Sequence, residues 1–282
     1  MNLKLTVVCE NTVTRPGFIG EHGFAALLET DGGIVLFDTG QGFSLIHNLL
    51  RFLKDVTKIE KVVLSHGHFD HTGGLLSFLG VRGPCAVIAH PDVLKERFRM
   101  MSPGPGMEEK PVSIGIPWHE SYLASRGARF QWVTEWSEIL PGVYVTGVVP
   151  RQTPFETGDP KFLVKTSEGF GPDPFLDDYS MIVDTPKGLI VVLGCAHAGT
   201  INILNHVFNK LGQKKIYALV GGTHLDFSSP EQLDKTLEAL RNFDIEIIAV
   251  SHCTGQQAAT RMANEFGPRF SFAPVGFQLS VS

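Results

Sequence analysis

The stretch LSHGHFDHTGG, residues 64–74, decides the fold, because it places four candidate metal ligands within six residues. An apolar run, KVVL, leads into it, and a second apolar run follows its two glycines, which predicts a strand, a ligand loop and then a helix. The candidates are three imidazoles and one carboxylate: His66, His68, Asp70 and His71. The alternative is a polar loop in which the aspartate caps the helix; the flanking strand and helix favour the metal site.

The spacing of these residues suits two metal ions. In an extended segment, residues i and i+2 point to the same side of the chain, so His66 and His68 can bind one ion. A turn through Phe69 would let Asp70 and His71 face a second ion. Imidazole and carboxylate ligands favour zinc, with one ion or two, and manganese or iron is also compatible with them.

Composition and charge describe a globular chain and exclude some classes of function. Of the 282 residues, 43% are hydrophobic and 19% are charged, which is enough to build a core. The formal net charge is -5 and no block of Lys or Arg occurs, so we expect a small-molecule substrate and no nucleic-acid partner. We expect a single domain over residues 1–282, in which the Pro- and Gly-rich segment 100–117 forms a lid or excursion.

The sequence shows no membrane segment and no export signal. No apolar run approaches the ~20 residues that span a bilayer, and the first residues, MNLKLTVVCE, alternate like a strand. The four cysteines are scattered and form no CxxC pair, which is typical of reduced thiols. We therefore expect a cytoplasmic protein without a membrane partner, and the sequence leaves the oligomeric state open.

The order of predicted elements favours an α/β fold. Early strands follow one another as hairpins and later strands alternate with helices, which indicates mixed β-sheets covered by layers of helices. Residues 151–162 and 168–175 are expected to be loops, and one strand around residues 270–279 is expected to close the chain. Helices are predicted, among other places, at 200–211, 230–242 and 256–266.

Histidines collect at the ends of the predicted strands. Seven of the eleven lie at or just beyond the carboxyl end of an apolar strand, which is the edge where α/β sheets bind ligands. These seven are His66, His68, His71, His90, His197, His224 and His252. His197 and His252 each lie between a strand and a helix, and we expect both to face the metals.

The other histidines have less specific interpretations. The role of His224 has three interpretations: it binds substrate, it supports a metal ligand through a hydrogen bond, or it is a structural histidine. His90 precedes Pro91 and is expected to start a helix. The remaining four are expected at the surface or partly buried: His22, His47, His119 and His206.

Two further residues at strand ends each have two interpretations. Cys195 is either a small buried hydrophobe or a thiolate ligand two residues before His197. Asp38, in FDTG, either orients a ligand histidine through a hydrogen bond or caps a turn.

Taken together, these motifs resemble the metallo-β-lactamase superfamily. HGHFDH matches the HxHxDH signature of that family, and FDTG (37–40) and SHCTG (251–255) fall where the family places its other motifs. The resemblance covers nearly the whole chain, from about residue 20 to about residue 260. It implies a four-layer αββα sandwich, in which two mixed β-sheets are flanked by helices and a two-metal site lies at one edge.

The resemblance also implies a ligand set. His66 and His68 would bind the first metal, and the second metal would be bound by Asp70, His71 and His252. The family pattern then supplies a third histidine to the first metal and a bridging Asp after a strand. Here Cys195 stands where that Asp is expected. Either His197 or Asp178 could complete the first metal, and His197 is the preferred candidate.

Hydrolysis is the activity that the resemblance implies most directly. Asp70 would act as the catalytic residue that orients a metal-bound hydroxide towards an ester, a phosphoester or a related small molecule. The stretches GLIVVLGCAHAGTINIL (188–204), GGTHL and VSHCTG also resemble a subgroup of methanopterin-pathway synthases. The alternative function is therefore a synthase that joins a pterin to a ribofuranosylaminobenzene phosphate. A non-enzymatic binding module is disfavoured because HxHxDH is complete.

Overall fold

The computed structural model describes residues 2–282 and arranges them as two seven-stranded sheets and one four-stranded sheet. In chain order the strands are β1 Leu3–Cys9, β2 Ala25–Thr30, β3 Gly33–Phe37, β4 Lys61–Val63, β5 Cys85–Ala89, β6 Arg97–Met101, β7 Lys110–Ser113, β8 Ala128–Trp132, β9 Ser137–Leu140, β10 Val143–Val145, β11 Phe162–Thr166, β12 Gly169–Pro172, β13 Ser180–Thr185, β14 Gly188–Leu193, β15 Ile216–Gly221, β16 Ile245–Val250, β17 Phe270–Phe272 and β18 Gln278–Val281. The α-helices are α1 Leu45–Arg51, α2 Phe69–Thr72, α3 Leu75–Arg82, α4 Glu120–Ser125, α5 Thr200–Leu211, α6 Pro230–Leu240 and α7 Gln256–Phe266.

Each of the two large sheets is antiparallel on one side and parallel on the other. The first has the order β18-β1-β2-β3-β4-β5-β8, and the second has the order β17-β16-β15-β14-β13-β10-β9. Strands β3, β4, β5 and β8 are parallel to one another, as are β14 to β17. Because parallel strands end at the same edge of a sheet, each sheet gathers the segments that follow its parallel strands at one edge.

Three apolar clusters explain the layers. One lies between the two large sheets and includes Val7, Phe37 and Val192. A second packs α5, α6 and α7 on the outer face of the second sheet, and a third packs α1, α3 and α4 on the outer face of the first. Full burial of a residue such as Leu49 or Phe78 contributes about 1.5–3 kcal/mol. The predicted αββα sandwich is confirmed.

The third sheet was not predicted. It has the order β12-β11-β6-β7 and takes up parts of two segments that were expected to be loops, 151–162 and 168–175. The segment 100–117 also contributes to it, since the end of β6 and all of β7 lie in that segment and pair as an antiparallel hairpin with register Met101↔Lys110. Its strands carry charged residues, Pro and Gly, which are uncommon in strands. All residues of β7 are exposed, so this strand has no buried apolar face that a sequence pattern could show.

The single closing strand expected at 270–279 was also wrong. The chain forms two short strands there, and they belong to different sheets. β17 extends the second sheet in parallel with β16, whereas β18 pairs antiparallel with β1 in the first sheet. The last two strands therefore pair with different sheets, and an apolar pattern alone does not predict this pairing.

Most predicted helices lie where the sequence placed them. α5 and α7 coincide with 200–211 and 256–266, and α6 ends two residues before the predicted end at 242. None of the helices described between residues 2 and 282 is both long enough and apolar enough to cross a membrane.

Candidate metal centre

The candidate ligands collect at the edges where the parallel strands end. The loop after β4 carries His66 and His68, the turn after β14 carries Cys195 and His197, and His252 follows β16. Four residues at these strand ends have left-handed φ angles: Asp38 (61°), Ala196 (55°), His224 (54°) and His252 (50°). Backbone strain of this kind in residues other than glycine concentrates at functional sites.

Three imidazoles converge in a group that we call the first donor set: His66, His68 and His197. His66 Nε2 lies 3.0 Å from His68 Nδ1 and 3.3 Å from His197 Nε2. Two ligand atoms that are each ~2.0–2.1 Å from a tetrahedral zinc ion lie about 3.3 Å apart. The three nitrogens are therefore spaced like ligands of one ion. Burial lowers the pKa of each ring well below the usual value for histidine, so each is neutral.

A second donor set lies beside the first and consists of Asp70, His71 and His252. His252 Nε2 lies 3.2 Å from Asp70 Oδ2 and 3.3 Å from His71 Nε2. Asp70 Oδ2 and His71 Nε2 are 3.9 Å apart. All three residues are buried, so their donor atoms face one another and not bulk water.

Asp38 and Ser65 together orient a histidine in each donor set. Asp38 Oδ2 lies 2.7 Å from His71 Nδ1 and accepts a hydrogen bond of 2.7 Å from Ser65 Oγ. Since the Ser65 hydroxyl proton is used there, its oxygen is left to accept the Nδ1 proton of His66, at 2.9 Å. This pattern places a proton on Nδ1 of both rings and leaves the Nε2 of His66 as a lone pair towards the first donor set.

The second donor set is more strongly charged than the first. Burial lowers the pKa of His71, but the carboxylates of Asp38 and Asp70 outweigh it and raise that pKa to about 9. Burial raises the pKa of Asp70, yet His71 and hydrogen bonds from His22 and His252 hold it well below its usual range. An ionised carboxylate and a basic imidazole therefore lie in contact, in a position where a cation can replace the imidazole proton.

Cys195 lies between the two donor sets. Its Sγ atom is 3.1 Å from His71 Nε2, and the donor atoms of Cys195, His66 and His71 all lie within 4.8 Å of one another. Cys253 and His252 form another such group with it. Burial raises the pKa of the Cys195 thiol well above its usual value, so without a cation the sulfur is protonated.

Asp178 has a different position from that of a ligand. Its Oδ2 accepts a hydrogen bond of 2.8 Å from the backbone N–H of Ala198, and burial raises its pKa to about 7. It thereby supports the turn that carries His197. Of the two candidates left open by the sequence, His197 is the one whose donor atom lies with those of His66 and His68.

The chemistry of the first donor set fits a divalent cation. His66 Nε2 is a lone pair, and two other ring nitrogens lie within 3.3 Å of it. The opposite ring nitrogen of His68, Nε2, is buried without a hydrogen-bond partner, so no hydrogen bond on that side explains the ring's orientation. Neutral imidazoles whose nitrogens converge at this spacing are ligands that zinc accepts.

Aromatic rings enclose the first donor set. Phe175 stacks on His197 with ring centroids 4.0 Å apart and an interplanar angle of 3°, and Phe162 stacks on His68 at 5.4 Å. His224 lies against His197 with centroids 4.3 Å apart, and burial lowers its pKa to about 3. His224 is therefore a neutral group next to the donor set.

Two cavities reach the centre from different sides. A small one of about 40 Å³ is lined by His197, His224, Phe175 and Phe227. A larger one of about 590 Å³ is lined by His252, Asn11, Asp226 and Gln256, among others. The larger volume is within the ~300–1,000 Å³ that small-molecule sites occupy.

Comparison with known proteins agrees with this geometry. The family model described as "Metallo-beta-lactamase superfamily" matches residues 19–252, which is most of the chain. The chain belongs to the metallo-β-lactamase superfamily.

Two relatives within this superfamily resemble the chain over nearly its full length. One is a protein of Methanocaldococcus jannaschii named 7,8-dihydropterin-6-methyl-4-(beta-D-ribofuranosyl)-aminobenzene-5'-phosphate synthase, 28% identical over 95% of this chain and 93% of its own length. The other is the solved structure of Tm1679, described as a metal-dependent hydrolase of the beta-lactamase superfamily. It has 28% identity, a TM-score of 0.84 and 99% coverage of both chains. Zinc-bound PqqB from Methylobacterium extorquens shares the fold, with a TM-score of 0.59 at 11% identity, 99% coverage of this chain and 100% of its own.

The sequence analysis assigned no role at this centre to four residues that contact it: Ser65, Glu10, Asn11 and His22. Glu10 Oε1 accepts a hydrogen bond of 2.7 Å from the backbone N–H of His252, and Asn11 Oδ1 lies 2.9 Å from His252 Nδ1. His22 Nε2 lies 3.1 Å from Asp70 Oδ2, although this histidine was expected to have only a surface or partly buried role. Only Ser65 had a sequence signal, its place inside the ligand motif.

The other histidines lie outside both donor sets. His90 begins the short helix Pro91–Leu94, as predicted, and its Nδ1 accepts a hydrogen bond of 3.0 Å from Asp92 N. The rings of His47 and His206 each contact a backbone oxygen, and His119 lies at the start of α4.

Proposed function

We propose that this chain is a metal-dependent hydrolase that acts on an ester, a phosphoester or a related small molecule. One observation carries the proposal: His66 Nε2 lies 3.0 Å from His68 Nδ1 and 3.3 Å from His197 Nε2, beside a second set of acidic and imidazole donors. We assign the first ion to that set and the second to Asp70, His71 and His252. Zinc is the metal we propose, because nitrogen donors predominate, and manganese and iron are the alternatives.

The residues around the centre have distinct tasks in this proposal. Divalent ions held there would lower the pKa of bound water to about 7 and polarise a carbonyl or phosphoryl oxygen. Asp38 orients His71 directly and His66 through Ser65, so both rings turn their Nε2 towards the centre, and at His71 a cation would replace the Nε2 proton. Asp70, the proposed catalytic residue, has an ionised carboxylate that can accept a hydrogen bond and orient the attacking water.

The aromatic side of the centre shapes where a substrate binds. Phe162 and Phe175 cover the first donor set and reduce its contact with water, which strengthens electrostatic interactions there. His224 is neutral and lines the small cavity, so we propose it as a hydrogen-bonding group for the substrate. The net charge of -5 supports a small molecule in preference to a nucleic acid. The single domain, the lid and the cytoplasmic location stay predictions.

The test measures metal content and hydrolysis together. Purified protein is stripped of metal, reloaded with zinc and assayed against phosphodiesters, lactones and thioesters, with His66→Ala as the variant. We expect wild-type activity to return with zinc and the variant to lack both the metal and the activity. Full hydrolysis by metal-free protein, or by a metal-free His66→Ala variant, would contradict the proposal.

A synthase is the second candidate, and one observation favours it specifically. The relative named as the dihydropterin-methyl-ribofuranosylaminobenzene-phosphate synthase is 28% identical over 95% of this chain. The cavity of about 590 Å³ that His252 lines has the volume of a small-molecule site, which gives room for such a substrate. In this candidate the same donor sets bind the metal, and the acceptor is an aminobenzene derivative and not water.

The two candidates differ in what the reaction consumes. In water enriched in ¹⁸O, a hydrolase places the label in its product and needs one organic substrate. A synthase consumes a pterin that carries a leaving group and a ribofuranosylaminobenzene phosphate in equal amounts, forms a product that contains both and releases the leaving group. Equal consumption of both, with no hydrolysis of any single compound in the panel, would replace the first candidate by the second.

A further inference from the structure

His22 is the exposed member of the group of side chains around Asp70. Its Nε2 lies 3.1 Å from Asp70 Oδ2, and its ring centroid lies 5.0 Å from that of His252. The side chain of His22 is 58% exposed, whereas that of Asp70 is 10% exposed. The donor atoms of His22, Asp70 and His252 all lie within 4.8 Å of one another. Two imidazoles and a carboxylate therefore converge at the outer side of the second donor set.

The backbone around His22 is held against Asp70. The N–H of Phe24 donates a hydrogen bond of 3.2 Å to the carbonyl oxygen of Asp70. Gly23 has a φ of 147°, and a Cβ atom at this position would collide with the same carbonyl oxygen. Glycine thus lets the segment before β2 approach the ligand loop closely, and this contact fixes the position of the His22 backbone.

Asn11 connects His22 and His252 from behind. Its Oδ1 accepts a hydrogen bond of 3.2 Å from the N–H of Gly23 and lies 2.9 Å from His252 Nδ1. This contact of His252 Nδ1 directs the other ring nitrogen, Nε2, towards Asp70, where a cation would bind it. One side chain therefore contacts the His252 ring and the backbone next to His22, as a group that supports metal ligands does.

We propose that His22 is a fourth protein ligand of the second metal ion, together with Asp70, His71 and His252. This inference rests on the proposed function, since it assumes that the second donor set binds a metal. Four protein ligands complete a tetrahedral zinc site, whereas three leave a position open for water or substrate. The open position would then belong to the first donor set, which has three protein ligands and faces the aromatic wall and the small cavity.

The alternative for His22 is a plain ion pair with Asp70. Ion pairs with an exposed partner contribute little to stability, and the contact would then matter little for metal binding. The two explanations differ for a glutamine at this position, because its amide can donate a hydrogen bond to Asp70 but is a poor zinc ligand. Glutamine should preserve an ion-pair-like contact and should not preserve ligation.

The experiment compares zinc binding by metal-free wild type, His22→Ala and His22→Gln, with His47→Ala as the control. His47 is also an exposed histidine, but it contacts the backbone oxygen of Gly17 instead of a donor set. We expect wild type and His47→Ala to bind two equivalents with equal affinity. Both His22 variants should keep the first equivalent and bind the second ~100-fold or more weakly, since loss of a group behind a ligand already costs ~10–100-fold.

A second readout uses the exposure of His22. Acylation of histidines by diethyl pyrocarbonate, located by mass spectrometry, should modify His22 in metal-free protein and spare it after zinc loading. His47 should react equally in both states. Equal reaction of His22 with and without zinc would overturn the proposal.

The outcomes separate this inference from the proposed function. Wild-type affinity for both equivalents in either His22 variant would show that His22 is not a ligand, while the metal centre itself would stand. Weak binding of both equivalents by wild type would overturn the metal centre, and the proposal for His22 with it. Because His22 is exposed, its variants should fold, and equal melting temperatures of the metal-free proteins check this.

Discussion

The two donor sets lie side by side but differ in chemistry. The first consists of three neutral imidazoles under the rings of Phe162 and Phe175. The second contains the ionised carboxylate of Asp70, a histidine whose pKa is raised to about 9, and a partly exposed neighbour, His22. An ion held by neutral ligands keeps its full charge, whereas a carboxylate compensates part of it. The first set therefore suits activation of a nucleophile, and the second suits tight binding and orientation.

The largest effect is expected from His66→Ala, because His66 contacts both other members of the first donor set. Removal of a direct ligand should lower activity by more than the ~100-fold that loss of a supporting group costs. Metal analysis should show one ion fewer. His90→Ala is the matched control, since His90 also follows a parallel strand but only caps a short helix. A similar loss in His90→Ala would show that any histidine at this edge is needed for folding.

The contrast between these two histidines also shows what the sequence could predict. His66 and His90 both follow apolar strands, and the ligand spacing after His66, together with Pro91 after His90, correctly separated their positions. Ser65, Asn11 and His22 were not identified, because their tasks depend on contacts between segments distant in the chain. Thus Asn11 contacts His252, 241 residues away, and no periodic pattern records such a pairing.

The fold shows the same division between local pattern and tertiary contact. The buried strands and amphipathic helices of the αββα layers have clear apolar periodicity, and they were predicted. The third sheet was not, because the residues of Lys110–Ser113 are exposed and stabilise it through backbone hydrogen bonds more than through apolar packing. The split of the C-terminal strand depends on which sheet has a free edge, and a single sequence does not contain that information directly.

The second prediction concerns a buried charge that supports only the first donor set. Asp177 accepts hydrogen bonds from the backbone N–H of Gly67, at 2.8 Å, and from Arg97 Nη2, at 2.6 Å. Both charged side chains are buried. Asp177→Ala should lower the free energy of unfolding by about 3–5 kcal/mol, because it leaves Arg97 with fewer partners in the interior. Chemical denaturation of metal-free protein measures this.

A matched variant sharpens that prediction. Asp92→Ala removes an aspartate that pairs with Lys95 near the surface, and it should change stability by no more than about 1 kcal/mol. In Asp177→Ala, affinity for the first zinc equivalent should fall more than affinity for the second, since Gly67 lies between two ligands of the first set. An equal loss at both would indicate that the loop acts as one unit.

The third prediction separates residues that support one donor set from those that support both. Asp38 contacts His71 directly and His66 through Ser65, whereas Asn11 contacts a ligand of the second donor set alone, His252. Asp38→Asn should weaken both zinc equivalents by ~10–100-fold, and Asn11→Ala should weaken only the second by a similar factor. Calorimetric titration with competing chelators distinguishes the two patterns. Weakening of a single equivalent by Asp38→Asn would break the proposed link through Ser65.

The smallest effect is a pH dependence beside the first donor set. Glu156 is buried beside the start of α5, which begins three residues after His197, and its carboxylate accepts hydrogen bonds of 2.8 Å from the backbone N–H groups of Ile201 and Asn202. Burial raises the pKa of Glu156 to about 7, although these N–H groups act to lower it. The folded protein therefore binds this proton more strongly than the unfolded chain does.

The sign of the effect follows from that shift. The stabilising contribution of the bound proton is fully present below the usual glutamate pKa of ~4.3 and is lost as the pH rises through about 7. Between pH 5 and pH 8 the wild type should lose stability, on the order of 1 kcal/mol, relative to Glu156→Gln, which carries no titrating proton. The difference between the two unfolding free energies isolates Glu156 from the other buried groups, since they titrate alike in both proteins. A difference that stays constant from pH 5 to pH 8 would mean that Glu156 stays ionised and acts as a charged cap on α5. The first donor set, whose own three imidazoles are neutral, would then have a negative charge nearby.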